Sequence, residues 1–329
     1  MTRRRALAAC VMAAVALSAG PSPAPAQTYP TRPITLIVPF PAGGPSDALA
    51  RAVAQAMALD LGQGIIVENI SGASGTIGLA KFTKSLPDGY TIAFGTIGTH
   101  VANVALYKKL PYDPVSDFQP IGLAGTASTL LVAKASLPAA NLEQFVAYTR
   151  ANRAAMTFGS AGIGSISHFS CALLLSSLKL NVTHVPYRGV APAMNDLIGG
   201  HTDFMCDQTT TALPQIAGGT IKAIAVLSDQ KVAQLPDVAT AASAGYGDVN
   251  VRAWNALFAP KQTPADVMTR LIRALRSALS DENLRKQMTA VGVELPHPER
   301  LNPADVSDLI AEGVKKDVPL IKQRGETLD

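Results

Sequence analysis

The sequence is short of charged residues, aromatic residues and cysteines, and these shortages exclude several classes of protein. Charged residues make up 16% and aromatic residues 5% of the 329 positions. Beyond residues 3–5, neither a basic run nor alternation of basic and aromatic residues occurs, so the electrostatic signature of nucleic-acid binding is missing. Hydrophobic residues reach 48%, which is enough for buried cores and argues against a largely disordered chain. The length favours about two domains.

Long apolar runs are also missing after residue 19, since none approaches the ~18 residues of a membrane span. Residues 1–26 have the pattern of an export signal. Residues 3–5 (RRR) form a basic start, residues 6–19 form a short apolar stretch, and residues 24–26 (APA) offer a small-residue cleavage site. We predict a cleaved signal peptide over residues 1–26, with a lipoprotein signal or a twin-arginine signal as the alternatives.

Two cysteines, Cys171 and Cys206, remain in the predicted mature chain. Export places them in an oxidising compartment, where a disulfide can form. Their apolar surroundings equally suit two small buried thiols, and we favour the buried thiols. Loss of residues 1–26 lowers the number of basic residues from 28 to 25, against 24 acidic residues, so the mature protein is nearly neutral.

Strand-like and helix-like segments alternate along the chain, beginning with a strand at residues 34–38 and a helix at residues 48–61. Repeated βαβ units predict parallel sheets with helices on both faces. The pattern restarts near residue 130, and a largely helical tail follows the strand after Trp254. We therefore predict one lobe from residues 27–127 and 253–329 and a second from residues 128–252. The chain would cross near Ala127 and Arg252, and the two crossings would act as a hinge.

Two Gly/Ser-rich loops, each between a strand and a helix, are the most informative feature. They are residues 39–47 (PFPAGGPSD) and residues 159–165 (GSAGIGS). Such loops present backbone amides at a helix N-terminus, where an anion can bind. The second loop lacks the lysine of a P-loop and the third glycine of a dinucleotide fingerprint. A carboxylate suits the loops better than a phosphate because neither contains Arg or Lys.

Catalytic and metal-binding patterns are missing from the sequence. No serine lies in a G-x-S-x-G elbow, because residues 72–75 (GASG) lack its spacing. The five histidines are scattered, with neither an H-E-x-x-H motif nor a pair four positions apart. We predict no enzyme, no metal site and no cofactor.

Four positions near strand ends are candidate ligand contacts, because ligands bind outside the carboxyl ends of strands in open α/β sheets. His168 is a fifth candidate, because it follows the second loop on the same helix. Each has an ordinary structural alternative. His168 binds a carboxylate or orders its loop, and Asp207 accepts a ligand group or caps a helix. Arg188 pairs with a ligand carboxylate or forms a structural salt bridge. Thr96 and Thr99 contact the ligand or form a turn.

Several sequence strings, taken together and in order, resemble the substrate-binding proteins of tripartite tricarboxylate transporters, often called the Bug family. The resemblance covers essentially the whole predicted mature chain. The strings are residues 29–34 (YPTRPI), 38–44 (VPFPAGG), 67–69 (VEN), 72–78 (GASGTIG), 87–91 (PDGYT), 110–114 (LPYDP), 159–165 (GSAGIGS) and 184–189 (HVPYRG).

The resemblance implies a two-lobed α/β periplasmic binding protein, a Venus flytrap in which each lobe is a mostly parallel sheet flanked by helices. It also implies a non-catalytic receptor that passes a small carboxylate to membrane permease subunits. The two glycine loops of such proteins hold a ligand carboxylate through backbone amides and ordered water. In this chain that clamp would consist of Ala42, Gly43, Gly44, Ser160, Gly164 and Ser165. The variable positions would be Phe40, Asp47, Thr96, Thr99, His168, Arg188 and Asp207.

The identity of the carboxylate stays open, since Arg188 suits a dicarboxylate whereas Asp207 suits an amino acid. We expect a monomer in the periplasm, without a nucleic-acid partner. A ligand-presenting subunit of a periplasmic sensor and a periplasmic hydrolase are the alternative functions.

Overall fold

The computed structural model describes residues 29–322, and the predicted signal peptide lies outside the described residues. Within this range the strands are β1 (Ile34–Val38), β2 (Ile65–Asn69), β3 (Thr91–Thr96), β4 (Phe118–Lys134), β5 (Thr157–Ser160), β6 (Thr183–Pro186), β7 (Phe204–Gln208), β8 (Ile221–Val226), β9 (Arg252–Pro260) and β10 (Val293–Glu294). The helices are α1 (Pro45–Leu61), α2 (Thr76–Phe82), α3 (Asn103–Leu106), α4 (Leu142–Asn152), α5 (Ile166–Ser177), α6 (Val190–Ile198), α7 (Thr209–Ala217), α8 (Ala265–Ser280), α9 (Glu282–Ala290) and α10 (Pro303–Lys322).

The strands form one continuous path in the order β2-β1-β3-β9-β4-β7-β5-β6, and β8 and β10 also pair with β4. Four groups of buried apolar side chains lie around this path. Two of these groups consist of side chains from residues 34–127 and 254–321, and the other two consist of side chains from residues 130–249. Each half of the path therefore has its own core, as expected of the two-lobed α/β fold of periplasmic binding proteins.

The long strand β4 connects the two halves because it changes partners along its length. Its first part, up to Ser128, pairs antiparallel with β9. From Thr129 onward it pairs antiparallel with β7 on one side and with β8 on the other. We predicted a strand only from residue 130, so β4 begins 12 positions earlier than expected. Pro120 and two glycines accompany register shifts in this part, and such irregularity hides a strand pattern.

The prediction of mostly parallel sheets is wrong in one respect. Pairs β1–β2, β1–β3, β5–β6 and β5–β7 are parallel, as the βαβ pattern indicates. The crossing strands β4 and β9 instead run antiparallel to all their neighbours. These strands enter each half without a crossover helix, which only a parallel connection needs. Each half is therefore a mixed sheet.

The helix α1 shows how the sequence builds the first half. Pro45 occupies its first turn, where a missing N–H costs nothing, and Gly62 ends it with a φ of 69°. Gly44 is the N-cap, so the helix begins three positions before the predicted start at residue 48. The apolar face of α1, including Leu49 and Val53, packs with the strongly amphipathic α8 against the sheet.

The two cysteines form a disulfide that joins α5 to β7. Cys171 and Cys206 are fully buried, and their Cα atoms lie 5.3 Å apart. The expectation of two separate thiols is therefore wrong. Residue type and apolar context do not distinguish a thiol pair from a disulfide, whereas the spatial approach of the two Cα atoms does. The bond ties the helix that begins at the second glycine loop to the sheet beneath it.

Candidate functional site

A cavity of about 520 Å³ lies between the two glycine loops. Its lining consists of residues 39–42, 44–46, 71–75, 96–98, 161–167, 187–191 and 253–255, together with Tyr107 and Gln208. Both halves of the sheet path contribute to it. A volume of this size suits a small organic molecule.

Four helices begin at this cavity. The N-cap residues of α1, α5, α6 and α7 all line it, and they are Gly44, Ser165, Gly189 and Gln208. First-turn amides have no partner inside their own helix and carry partial positive charge. Only at α5 does a cap side chain bind one of them, since Ser165 Oγ accepts a hydrogen bond from the His168 amide. The cavity is therefore electropositive and suits an anion.

Charged side chains are nearly absent from the lining. Among the described lining residues only Arg188 is charged, and it is exposed. No hydrogen bond or ion pair to another described residue occupies its guanidinium group, so the predicted structural salt bridge does not form within residues 29–322. The guanidinium is thus available for bidentate pairing with a carboxylate.

In the first glycine loop, Ala42, Gly44 and Phe40 line the cavity. Gly43 does not, because its amide donates to the Asp47 carboxylate over 2.9 Å. Asp47 also lies outside the lining and accepts hydrogen bonds from Arg51 and Asn69. These two residues therefore shape the loop rather than face the cavity.

The ionisation of Asp47 follows from the same contacts. Burial alone would raise the pKa of this carboxyl group. Hydrogen bonds from Arg51, from the Gly43 amide and from Asn69 outweigh the burial and hold the pKa below its usual value. Asp47 stays negatively charged and keeps the first loop in place.

In the second glycine loop, Gly164 and Ser165 line the cavity, whereas Ser160 is fully buried behind it. Ser160 Oγ lies 2.7 Å from His184 Nε2 and accepts a hydrogen bond from the Gly162 amide. The amides of Ala161 and Gly164 also bond within the loop, to Ser167 Oγ and His168 Nδ1. The loop is preorganised by its own hydroxyl and imidazole groups.

His168 orders this loop and does not line the cavity. Its Nδ1 accepts a hydrogen bond from the Gly164 amide at 3.4 Å. Its ring lies 4.5 Å from the ring of His184 and stacks on Phe158 at 6.4 Å. Of its two predicted roles, the structure shows the ordering of the loop.

At the end of β3, Thr96 lines the cavity and Thr99 does not. Thr99 Oγ1 accepts from the Thr96 amide over 3.0 Å and bonds back to the Thr96 carbonyl oxygen at 3.1 Å. Thr99 therefore closes the turn after the strand. Thr96 alone of the two can contact a ligand in the cavity.

Asp207 is buried and lies outside the lining. Its carboxylate accepts a hydrogen bond from Thr211 Oγ1. Burial raises its pKa to about 7, although the hydrogen bonds from Thr211 and the Gln208 backbone act in the opposite direction. The neighbouring Gln208 reaches the cavity instead, because successive side chains of a strand point to opposite faces.

Gln208 and Asn255 are cavity-lining polar residues that the sequence analysis missed. Both are buried, with 5% and 3% of their surfaces exposed. Gln208 directly follows Asp207, which we named as a candidate because it lies near the end of a strand. The prediction therefore named the residue one position before the one that lines the cavity. Asn255 lies within the antiparallel strand β9, where that rule does not apply. Its Oδ1 accepts a hydrogen bond from Ser46 Oγ over 3.0 Å.

Contacts across the cavity mouth join the two glycine-loop sides. Ser74 Oγ donates a hydrogen bond to the carbonyl oxygen of Ile163. A Cβ atom built on Gly164 would lie 2.9 Å from Leu106 Cδ1 and 3.0 Å from Ser74 Oγ, so the absence of a side chain permits this approach. Gly189 approaches Pro41 in the same way. The structure is therefore a closed form of the cleft.

Within residues 29–322, no group of three or more histidine, cysteine or acidic side chains is placed to hold a metal ion. None of the helices in that range combines the length and apolar content that a membrane span requires.

The fold and site define a class: a two-lobed α/β binding protein with an electropositive cavity between its lobes. Residues 49–326 match the family described as the tripartite tricarboxylate transporter family receptor, and the chain belongs to that family.

Individual relatives agree with this assignment. A protein of the TAR-I ttuE–ttuC′ intergenic region of Agrobacterium vitis is 38% identical, over 91% of this chain and 86% of its own length. The structure of the periplasmic binding protein BugD aligns with a TM-score of 0.87 at 37% identity, over 91% of this chain and 99% of that one. MatC from Rhodopseudomonas palustris, solved with bound malate, aligns with a TM-score of 0.85 at 37% identity, over 89% of this chain and 100% of that one.

Proposed function

We propose that this protein is a periplasmic receptor that captures a small organic carboxylate in the cavity and delivers it to the membrane permease of a tripartite transporter. The observation that carries the proposal is the convergence of four helix N-termini on one cavity. Each contributes roughly half a positive charge, so the site attracts an anion. Membership of the receptor family and the malate bound to MatC support the same ligand class.

The carboxylate clamp of this proposal consists of the loop residues that line the cavity: Ala42, Gly44, Gly164 and Ser165. Gly43 and Ser160 do not face the cavity. They hold the two loops in place through their hydrogen bonds to Asp47 and to His184. Arg188 supplies a full positive charge at the exposed side. This division places the lining loop residues around the ligand, assigns its binding to first-turn amides such as those of Ser46 and Ser167, and assigns loop geometry to the buried polar residues.

Ligand capture would involve rotation of the two lobes about the crossings in β4 and β9. The proposed lobes are residues 27–127 with 253–329, and residues 128–252. The contact of Ser74 with Ile163 supports this motion, because a hydrogen bond across the cleft mouth can form only when the cleft is closed. A ligand that bridges both sides would favour the closed form. We propose that the receptor acts as a monomer and without a cofactor.

A periplasmic hydrolase is the second candidate, and the contact of Ser160 with His184 is the observation in its favour. Ser160 is fully buried and lies outside the cavity lining, and its Oγ accepts a hydrogen bond from the Gly162 amide. A substrate carbonyl in the cavity would not reach this hydroxyl group without rearrangement of the loop. We therefore propose that the protein binds its ligand without converting it, and recovery of the bound acid unchanged after incubation tests this.

A thermal-shift screen of mono-, di- and tricarboxylates tests the proposed function. A ligand present at 100 times its Kd adds about 2.7 kcal/mol to the free energy of unfolding, which gives a clear rise in Tm. We expect at least one small carboxylate to raise the Tm, and uncharged analogues such as the corresponding diamides to leave it unchanged. A screen in which no carboxylate raises the Tm would contradict the proposal.

A further inference from the structure

The chemistry of the cavity wall restricts the ligand beyond the presence of a carboxylate. No aspartate or glutamate lies among the described lining residues. Asp207, the acid that would suit an amino acid ligand, has 1% of its surface exposed and is bonded to Thr211. Asp47 is bonded to Arg51, Asn69 and the Gly43 amide. An ammonium group in the cavity would therefore meet no carboxylate partner.

Two buried carboxamides supply hydrogen bonds in place of an acid. Ser46 donates to Oδ1 of Asn255, and Nδ2 of that side chain has no hydrogen-bond partner within residues 29–322. The Gln208 side chain makes no hydrogen bond with any other residue of the described chain, although it lines the cavity and is 95% buried. Buried polar groups without protein partners are costly unless a ligand or water satisfies them. Both groups are therefore available to a ligand.

The electrostatic potential of the cavity also disfavours a ligand with an ammonium group. The four helix N-termini, at roughly half a charge each, and Arg188 contribute positive charge to the cavity, and the ionised Asp47 in the first turn of α1 offsets part of it. An ammonium group brought into this field loses its hydration and is repelled by the same dipoles that attract the carboxylate. A hydroxyl group or a second carboxylate is not repelled in this way. The backbone amides and the Arg188 guanidinium can donate hydrogen bonds to either group, which replace those lost from water.

We infer that this receptor selects a dicarboxylate that carries no ammonium group, either unsubstituted or with a hydroxyl group, over the amino acid of the same skeleton. Gln208 and Asn255 are the side chains that bind its polar substituent. The inference rests on the proposed function, because it names the class of carboxylate that the same cavity holds.

Calorimetric titration with matched acids tests the inference at neutral pH. The pairs are malate with aspartate and 2-hydroxyglutarate with glutamate, with succinate and glutarate as unsubstituted references. We expect the tightest acid without an ammonium group to bind at least tenfold more tightly than its amino analogue. An amino acid that binds equally well or better overturns the inference and leaves the proposed function standing. If no acid of either series binds, the proposed function fails and the inference falls with it.

Variants that add the missing negative charge provide the second test. Gln208→Glu and Asn255→Asp each place a carboxylate in the wall with little change of shape, and Asp at position 255 keeps an acceptor for Ser46. We expect each variant to shift the ratio of amino acid to hydroxy acid affinity at least tenfold toward the amino acid. Gln208→Met, which removes the amide without adding charge, should weaken hydroxy acid binding without that shift. An unchanged ratio in both charged variants, with unfolding transitions like that of the wild type, overturns the assignment.

Discussion

Ser46 Oγ donates a hydrogen bond to Asn255 Oδ1 over 3.0 Å and joins the first turn of α1 to a strand 209 positions away in sequence. Ser46 belongs to the first glycine loop, and Asn255 lies in the strand that returns from the second half of the sheet path. The bond therefore fixes the start of α1 relative to a cavity-lining carboxamide of the same lobe. It also orients the Asn255 amide so that its N–H donors remain for a ligand.

Ser46→Ala tests the importance of this bond. The variant leaves Asn255 Oδ1 buried without its donor, which costs about 1–3 kcal/mol in the free energy of unfolding. It also frees the carboxamide to rotate, so we expect the affinity for the best carboxylate to fall roughly tenfold, since ~1.4 kcal/mol corresponds to that factor. Denaturant titration and calorimetry measure the two effects. Ser176→Ala, at an exposed position of α5, should change neither. Wild-type affinity in the Ser46 variant would contradict the role given to this bond.

Gly164→Ala tests the contact across the cleft mouth. Gly164 has a φ of +82°, so an alanine there carries a backbone cost of roughly 1–2 kcal/mol. Its Cβ would also press on Leu106 and Ser74 and hold the cleft open. Gly200→Ala carries a similar backbone cost at a φ of +77°, but its Cβ would meet no atom within 4 Å.

We expect ligand affinity to fall at least tenfold in the Gly164 variant and to stay near the wild-type value in the Gly200 variant, by calorimetry. Equal affinities in the two variants would show that the glycine serves only the local turn. Small-angle scattering provides a second readout, since the Gly164 variant should compact less than the wild type when ligand is added.

The disulfide between Cys171 and Cys206 closes a loop with a sequence separation of 35. In the chain-entropy description, a loop of this length contributes about 4 kcal/mol to the free energy of unfolding. The double variant Cys171→Ala/Cys206→Ala should lose most of that contribution in denaturant titrations. Thiol titration of the denatured, unreduced mature protein should find no free thiol, and two free thiols would contradict the bond.

Asp207 gives stability a specific pH dependence. Its pKa is raised from 3.8 to about 7 in the folded protein. Between these values the unfolded chain is ionised while the folded chain keeps the proton, so the unfolded state binds fewer protons and stability falls as pH rises. The slope reaches at most about 1.4 kcal/mol per pH unit, and the loss is complete above pH 7.

Asp207→Asn should remove this dependence, because an amide oxygen can still accept from Thr211 but does not ionise. We expect the variant to gain stability relative to the wild type between pH 5 and pH 7.5, measured by denaturant titration at both values. Parallel pH profiles for the two proteins would show that the carboxyl group of Asp207 is not protonated in the folded state.

The sequence predicts the fold class and the two glycine loops well, because both depend on local patterns. A buried apolar run such as residues 34–38 and a glycine turn before a helix show directly in the sequence. The long strand β4 was predicted only in part, since Pro120 and Gly122 interrupt its pattern while the neighbouring strands still pair with it. The disulfide depends on a spatial approach that no local pattern reports.

Within the site, the sequence predicts the loops better than the individual contacts. Gly43 and Thr99 belong to segments that border the cavity, yet their polar groups bond to Asp47 and Thr96 instead. Asp207 and Gln208 are adjacent, and the alternation of side chains along β7 decides which of them reaches the cavity. Asn255 could not be found from its neighbours in sequence, because its partner Ser46 lies on another element.

We propose above all that a carboxylate is held by helix N-termini inside this cavity. A crystal structure of the mature protein with the carboxylate that gives the largest rise in Tm tests it most directly. We predict a ligand carboxylate within hydrogen-bonding distance of first-turn amides of α1 or α5, next to Ser46 or Ser167. A ligand bound outside the cavity, or one whose carboxylates face away from both helix N-termini, would contradict this mode of binding.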